Sequence, residues 1–133
     1  MISHWEEFQS GPTLPLDKRM NVTLSPKNIF YLNGNICDKL GNPEAVRLLF
    51  DKVNSLVGMD PAPASLPNAF PLKSKLGTKS RQIIATTFCK HYGIKVDSTT
   101  SFINTEIDEN GVLRLDLKAT TIVRRPGARR HSR

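Results

Sequence analysis

The chain has 133 residues, which is the length of one domain or of two very small ones. Its longest apolar runs span only a few residues, so we expect no transmembrane helix. The N-terminus, MISHWEEFQSG, lacks the apolar core of a signal peptide. We therefore expect a cytoplasmic protein.

The net charge of +7 is unevenly distributed along the chain. Residues 61–96 contain six Lys or Arg and no Asp or Glu, and residues 118–133 have the same count. The rest of the chain is slightly acidic. An internal basic block favours an anionic partner, most often nucleic acid. A basic tail is weaker evidence, because many such tails are simply solvated.

Residues 1–19 read as a lead-in, since their apolar residues follow no period. The alternating stretch MNVTLS then predicts a strand, and NIFYL, rich in β-branched and aromatic residues, predicts a second. Asn33 is a good N-cap for a short helix in GNICDKLG, and Gly41 is suited to the left-handed residue that ends it. AVRLLFD and SLVGMDPA predict a hairpin around the turn DKVNS.

Residues 63–69 belong to a proline-rich linker, after which the order of elements repeats. AFPLKSK and RQIIA predict strands, Thr86 or Thr87 can cap a short helix, and Gly93 can end it. SFINTEID and VLRLDLKA predict a final hairpin, whose turn contains Asn110-Gly111. Residues 122–133 form a basic tail that we expect to be disordered.

Two stretches, KNIFYLNGNICDKLG (27–41) and KSRQIIATTFCKHYG (79–93), align without a gap. The alignment places three pairs of residues on the apolar face of each helix, namely Ile36 with Phe88, Cys37 with Cys89, and Leu40 with Tyr92. We therefore predict two repeats, 20–62 and 70–121, each made of two strands, a short helix and a hairpin. One repeat would leave a sheet face and two edges open, so two should fold as one domain over 20–121. The predicted fold class is α+β, mainly β, a small barrel with a pseudo-twofold axis.

The order of strand, short helix, Leu-Gly and hairpin resembles the swapped-hairpin fold of the AbrB-like (SpoVT/AbrB) family, and a tandem pair resembles its MraZ-type members. The resemblance covers roughly residues 20–120 and is one of pattern, because neither copy has the Gly-Arg before the strand or the proline that begins the helix. It implies a bacterial or phage protein that regulates transcription by binding double-stranded DNA.

In that family, basic residues near the first strands of each half bind DNA. The resemblance thus implies Lys73, Lys75, Lys79 and Arg81 in the second copy, and Lys18, Arg19 and Lys27 in the first. Four of these lie in the acid-free block identified from charge alone. Arg124 and Arg125 in the tail would add non-specific affinity for phosphate. The alternative for the internal block is an ordinary solvated basic surface.

The chain lacks the residue patterns of an enzyme. Its three histidines are scattered, and it has no phosphate-binding glycine loop, dinucleotide motif or zinc-protease motif. The two cysteines lack the spacing of a metal site and are expected to be small buried residues. We therefore expect no catalysis, no cofactor, no metal and no small-molecule substrate. The alternative function is a structural or adaptor module for a protein or nucleoprotein partner, and either function is compatible with a homo-oligomer.

Overall fold

The computed structural model describes residues 3–6, 21–74 and 77–123. They form two helices and eleven strands, in the order β1 (Val22–Leu24), β2 (Ile29–Leu32), α1 (Gly34–Lys39), β3 (Ala45–Asp51), β4 (Leu56–Ala62), β5 (Ala69–Pro71), β6 (Lys73–Ser74), β7 (Arg81–Ile84), α2 (Thr86–Tyr92), β8 (Thr100–Phe102), β9 (Glu106–Ile107), β10 (Leu113–Asp116) and β11 (Thr120–Ile122). The prediction of an α+β, mainly β fold is confirmed. Within these residues, neither helix is long and apolar enough to cross a bilayer.

The strands form two antiparallel sheets. The six-stranded sheet has the order β11-β8-β1-β2-β7-β6, and the five-stranded sheet has the order β5-β3-β4-β10-β9. The two halves of the chain meet in both sheets, because β2 pairs with β7 in the first and β4 pairs with β10 in the second. Neither sheet is therefore complete without strands from both halves.

The core lies between the two sheets and the two helices. Alternate residues of the six-stranded sheet are fully buried, such as Leu24, Phe30 and Leu32, and the Phe30 ring stacks on Phe102 at 6.2 Å between centroids. The five-stranded sheet and the helices supply the rest of one continuous cluster: Val46, Val57, Met59, Leu113, Leu115, Ile36, Cys37, Phe88 and Cys89. Burial of this apolar surface is the main stabilising contribution to the fold.

The helix α1 begins and ends as the sequence predicts. The Asn33 side chain accepts a hydrogen bond from the Ile36 amide at 3.2 Å, and Gly41 adopts a left-handed conformation with φ +86°. The start of α2 differs from the prediction, because Ala85 rather than Thr86 or Thr87 occupies the N-cap and makes no side-chain cap bond. The reason is that Ala85 is fully buried and its amide donates to the Asn28 carbonyl at 2.9 Å, so the chain stays in the sheet until the helix begins.

The predicted small barrel is not closed in the described residues, which form two separate sheets. Three of the four edge strands offer few groups for further pairing: β6 and β9 have two residues each, and β5 ends in Pro71, which has no amide hydrogen. The chain passes from β5 to β6 at Leu72, which buries its side chain and donates its amide to the Glu44 carbonyl at 2.9 Å. Consecutive strands thus belong to different sheets.

The predicted single strand SFINTEID is also interrupted. Phe102 ends β8 in the six-stranded sheet, whereas Glu106 begins β9 in the five-stranded sheet. Between them Ile103 is 59% exposed, and the Thr105 hydroxyl donates to the Phe102 carbonyl at 3.3 Å. The predicted turn after β9 is present, with Gly111 at φ +81°, but it joins a hairpin with only two paired positions. The last strand, β11, includes Ile122, which the sequence placed in the tail.

The internal repeat stays a prediction. The helices agree with it, since Ile36 and Cys37 are buried in α1 as Phe88 and Cys89 are in α2. The strands before them do not follow the ungapped alignment, because Leu32 is fully buried whereas its aligned partner Ile84 is 44% exposed. Leu40 and Tyr92 differ as well, at 8% and 39% exposed.

Candidate nucleic-acid interface

Lys27 lies in the tight turn between β1 and β2. The Ser25 hydroxyl accepts from the Lys27 amide at 3.3 Å, and Asn28 adopts a left-handed conformation with φ +66°. The turn is closed by the Asn28 amide, which donates to the Ser25 carbonyl at 2.9 Å. This local network holds Lys27 exposed at one end of the six-stranded sheet.

Lys73 lies in β6, at the edge of the same sheet, and is exposed. Its cross-strand partner is Gln82, and cross-strand partners in an antiparallel pair have side chains on the same face. Because the neighbour of Gln82, Ile83, is fully buried, Gln82 and Lys73 lie on the outer face of the sheet. Lys75, the next predicted binding residue, lies outside the described residues.

Lys79 lies in the loop before β7 and is exposed. The Cβ of Lys79 packs against Gly34, the first residue of α1. A Cβ added to Gly34 would lie only 2.9 Å from the Cβ of Lys79. The loop is also closed by the Ser80 amide, which donates to the Thr78 hydroxyl at 3.1 Å. The glycine at position 34 therefore allows the helix and the basic loop to approach each other.

Arg81 is directed differently from Lys73. It pairs with Leu32 in β2, whose side chain is fully buried, so Arg81 extends from the inner side of the sheet near α1. Burial raises the pKa of the Cys37 thiol there, and the positive charge of Arg81 nearby opposes that rise. The four described basic residues thus do not form one cluster. Lys27 and Lys73 lie beside the outer face of the six-stranded sheet, whereas Lys79 and Arg81 lie near α1. Lys18, Arg19, Arg124 and Arg125 are outside the described residues.

A row of polar residues crosses the outer face of the six-stranded sheet. The strand registers place side chains from all six strands next to one another, in the order Thr121, Ser101, Thr23, Tyr31, Gln82 and Lys73. Adjacent strands are about 4.8 Å apart, so the row is about 24 Å long. A groove of about 500 Å³ lies over its middle, and Thr23, Lys27, Tyr31 and Ser80 are among the residues that line it.

The two sheets differ in charge. Among the described residues, the strands of the six-stranded sheet contain Lys73 and Arg81 and no Asp or Glu. The strands of the five-stranded sheet contain four acids and two arginines: Asp51, Asp60, Glu106, Asp116, Arg47 and Arg114. Both arginines are paired there, Arg47 with Asp60 and Arg114 with Glu106 at 3.5 Å. The molecule thus has a basic sheet and a slightly acidic one.

A second groove, of about 480 Å³, opens between the sheets beside β11. Its lining is mixed: Phe50, Tyr92, Phe102 and Ile122 are apolar, whereas Lys95 and Asp97 are charged. The rings of Phe50 and Tyr92 are 4.6 Å apart, and Ile122 is 57% exposed. The groove therefore offers apolar surface with charged groups at its border.

No group of three or more His, Cys, Asp or Glu side chains is placed to hold a metal ion within residues 3–6, 21–74 and 77–123. Both cysteines are buried, and burial raises the pKa of each thiol. The expectation that they are core residues is confirmed.

Sequence reasoning missed the polar row and its central residue, Tyr31. The alternation in β2 places Tyr31 opposite the buried Phe30 and Leu32, so its outward direction could have been predicted. The neighbours of Tyr31 could not, because Thr23, Ser101 and Gln82 join it only once the strand order is known.

No protein-family model matches the chain, and neither the curated proteins nor the solved structures include a match. The AbrB-like resemblance therefore stays a proposal.

Proposed function

We propose that the protein is a non-enzymatic, cytoplasmic DNA-binding protein that uses its six-stranded sheet to approach the nucleic acid. The observation that carries the proposal is the difference in charge between the two sheets. An anionic polymer is attracted more to the sheet whose strands contain no acids than to the other sheet, whose two strand arginines are already paired with acids. The protein can therefore bind in one orientation.

Further basic residues are neighbours of this sheet in the sequence. Lys75 directly follows β6, and Arg124 and Arg125 directly follow Val123, the residue after β11. Lysine and arginine side chains that neutralise phosphates release counterions, which makes binding strong at low salt and weak at high salt. Duplex DNA and a role in transcription are the ligand and the process that the AbrB-like resemblance favours.

The same resemblance offers an account of the architecture, in which the two halves are copies of one swapped-hairpin unit. The pairing of β2 with β7 and of β4 with β10 supports this account, because each pairing joins the corresponding strands of the two halves. Such a protein would carry its two copies in one chain, and a homo-oligomer would add further copies of the basic sheet.

The alternative function is a structural or adaptor module. The observation that favours it is the groove beside β11, where the side chains of Ile122 and Tyr92 are exposed. In that case a protein partner would occupy the groove, and the basic residues would make only non-specific contacts with an anionic assembly.

The test is DNA binding measured by fluorescence anisotropy over a range of salt concentrations. The double variant Lys27→Ala/Lys73→Ala should weaken binding to a labelled duplex and reduce the salt slope by about 2, since each lost phosphate contact removes about 1. The matched control is Lys52→Ala/Lys118→Ala, which removes the same charge next to the five-stranded sheet and should leave the slope unchanged.

A chain that ends at Val123 separates the sheet from the tail. We expect it to keep most of its salt-dependent binding, because the six-stranded sheet is intact. If this chain no longer binds any duplex at low salt, or if both double variants have the same effect, the sheet is not the binding surface and the adaptor function is favoured.

A further inference from the structure

Among the described residues, the middle of the outer face of the six-stranded sheet has no charged side chain. Thr23, Tyr31 and Gln82 are cross-strand neighbours there, and the described lysines lie to the side, Lys27 along the groove and Lys73 at the end of the row. A duplex resting on a protein surface presents mainly phosphates, and these need cations where the approach is closest. The middle of this face offers hydroxyl and amide groups and an aromatic ring instead.

The apolar part of the face is continuous with that ring. Ile29 and Ile84 are cross-strand partners in the next row, and Ile29 is two residues from Tyr31 on the same side of β2. Ile84 is 44% exposed and Ile29 is partly exposed. Ile29 and Ile84 thus lie next to Tyr31 on the outer face of the sheet.

We propose that this face binds single-stranded nucleic acid, with a base stacked on Tyr31 and the flanking phosphates neutralised by Lys27 and Lys73. A single strand turns its base faces outward, and aromatic residues on a sheet are a common platform for them. The row of hydroxyl and amide groups can donate to and accept from base edges. This inference rests on the proposed function and changes its ligand from paired to unpaired DNA.

The experiment compares a labelled oligothymidine of about 10 nucleotides with a duplex of the same length, at the same salt concentration. We expect the wild-type chain to bind the single strand more tightly. Tyr31→Ala should weaken single-strand binding by roughly tenfold, which is the effect of losing one stacked base. The duplex affinity should change little.

Tyr31→Phe is the matched control, since it keeps the ring and removes only the hydroxyl. Because stacking needs the ring alone, this variant should bind the single strand with an affinity within about twofold of wild type. Circular dichroism would verify that both variants fold. If Tyr31→Ala, folded, binds the single strand as tightly as wild type does, or if the duplex is preferred, the inference is overturned while the proposed function stands. If neither nucleic acid binds at low salt, both fall together.

Discussion

Replacing Gly34 by alanine tests how closely the loop that carries Lys79 is held against α1. The added Cβ would lie 2.9 Å from the Cβ of Lys79, whereas carbon atoms in favourable contact are about 3.5–4.0 Å apart. Both atoms are attached directly to the backbone, so neither can rotate away, and the loop or the helix must move by up to about 1 Å. Such overpacking costs about 1–3 kcal/mol.

Alanine is favoured over glycine by about 1 kcal/mol in a helix interior, but Gly34 is the first residue of α1, so only a fraction of that offsets the cost. We therefore expect Gly34→Ala to lower the free energy of unfolding by about 1–2 kcal/mol. With a urea m-value of about 2 kcal/mol/M, the midpoint of unfolding should fall by about 0.5–1 M. Circular dichroism during urea titration measures this, and an unchanged m-value would show that only stability has changed.

The cause can be isolated with two variants of the facing residue. Lys79→Gly removes the Cβ that is too close, whereas Lys79→Ala keeps it. In the Gly34→Ala background, Lys79→Gly should therefore restore part of the lost stability, with a coupling of about 1 kcal/mol in a double-mutant cycle. Lys79→Ala should restore none. Equal effects of the two changes, or a Gly34→Ala protein as stable as wild type, would refute the close packing of loop and helix.

Three further predictions concern titration and spectroscopy. Hydrogen bonds, above all from the Asn54 side chain, hold the pKa of Asp51 below its usual range. The stability that Asp51 contributes is therefore present above its unfolded-state pKa and is lost as the pH falls through its folded-state pKa. In an NMR titration Asn54→Ala should raise the pKa of Asp51 towards its ordinary value. Burial raises the pKa of Cys37 and Cys89. The stability due to their neutral thiols should therefore be full below the unfolded-state pKa and should decline as the pH rises towards the folded-state pKa. Because both thiols are buried, a thiol reagent should label neither until the protein unfolds. The one tryptophan, Trp5, is 90% exposed, so its fluorescence maximum should not shift on unfolding, and a clear red shift would contradict its position.

The features that the sequence predicted correctly depend on residues close together in the chain. Asn33 caps α1 because its side chain reaches an amide three residues away. The hairpin of β3 and β4 forms around its turn, where the Asp51 carboxylate accepts from the amides of Val53 and Asn54 at 3.0 and 3.1 Å. Such signals need no knowledge of the rest of the fold.

The features that could not be predicted from the sequence depend on which of the two sheets each strand joins. SFINTEID has the pattern of one strand, yet Phe102 and Ile107 both face the core because the chain crosses between the sheets after β8. The basic residues could be found from charge, but their separation into an outer pair and a pair near α1 depends on the pairing of Arg81 with Leu32. The central place of Tyr31 likewise depends on neighbours that are distant in the chain.

The pairing of the two halves has a consequence for how the protein is made. β1 pairs with β8, and β4 pairs with β10. Before about residue 100 has been synthesised, β1 and β4 therefore each have one edge whose backbone groups lack a hydrogen-bonding strand. Pairing between such distant segments is slow compared with the formation of local hairpins. A nascent chain that stalls before residue 100 therefore has no half-size folded product available, and its open edges make it a substrate for aggregation or for chaperones.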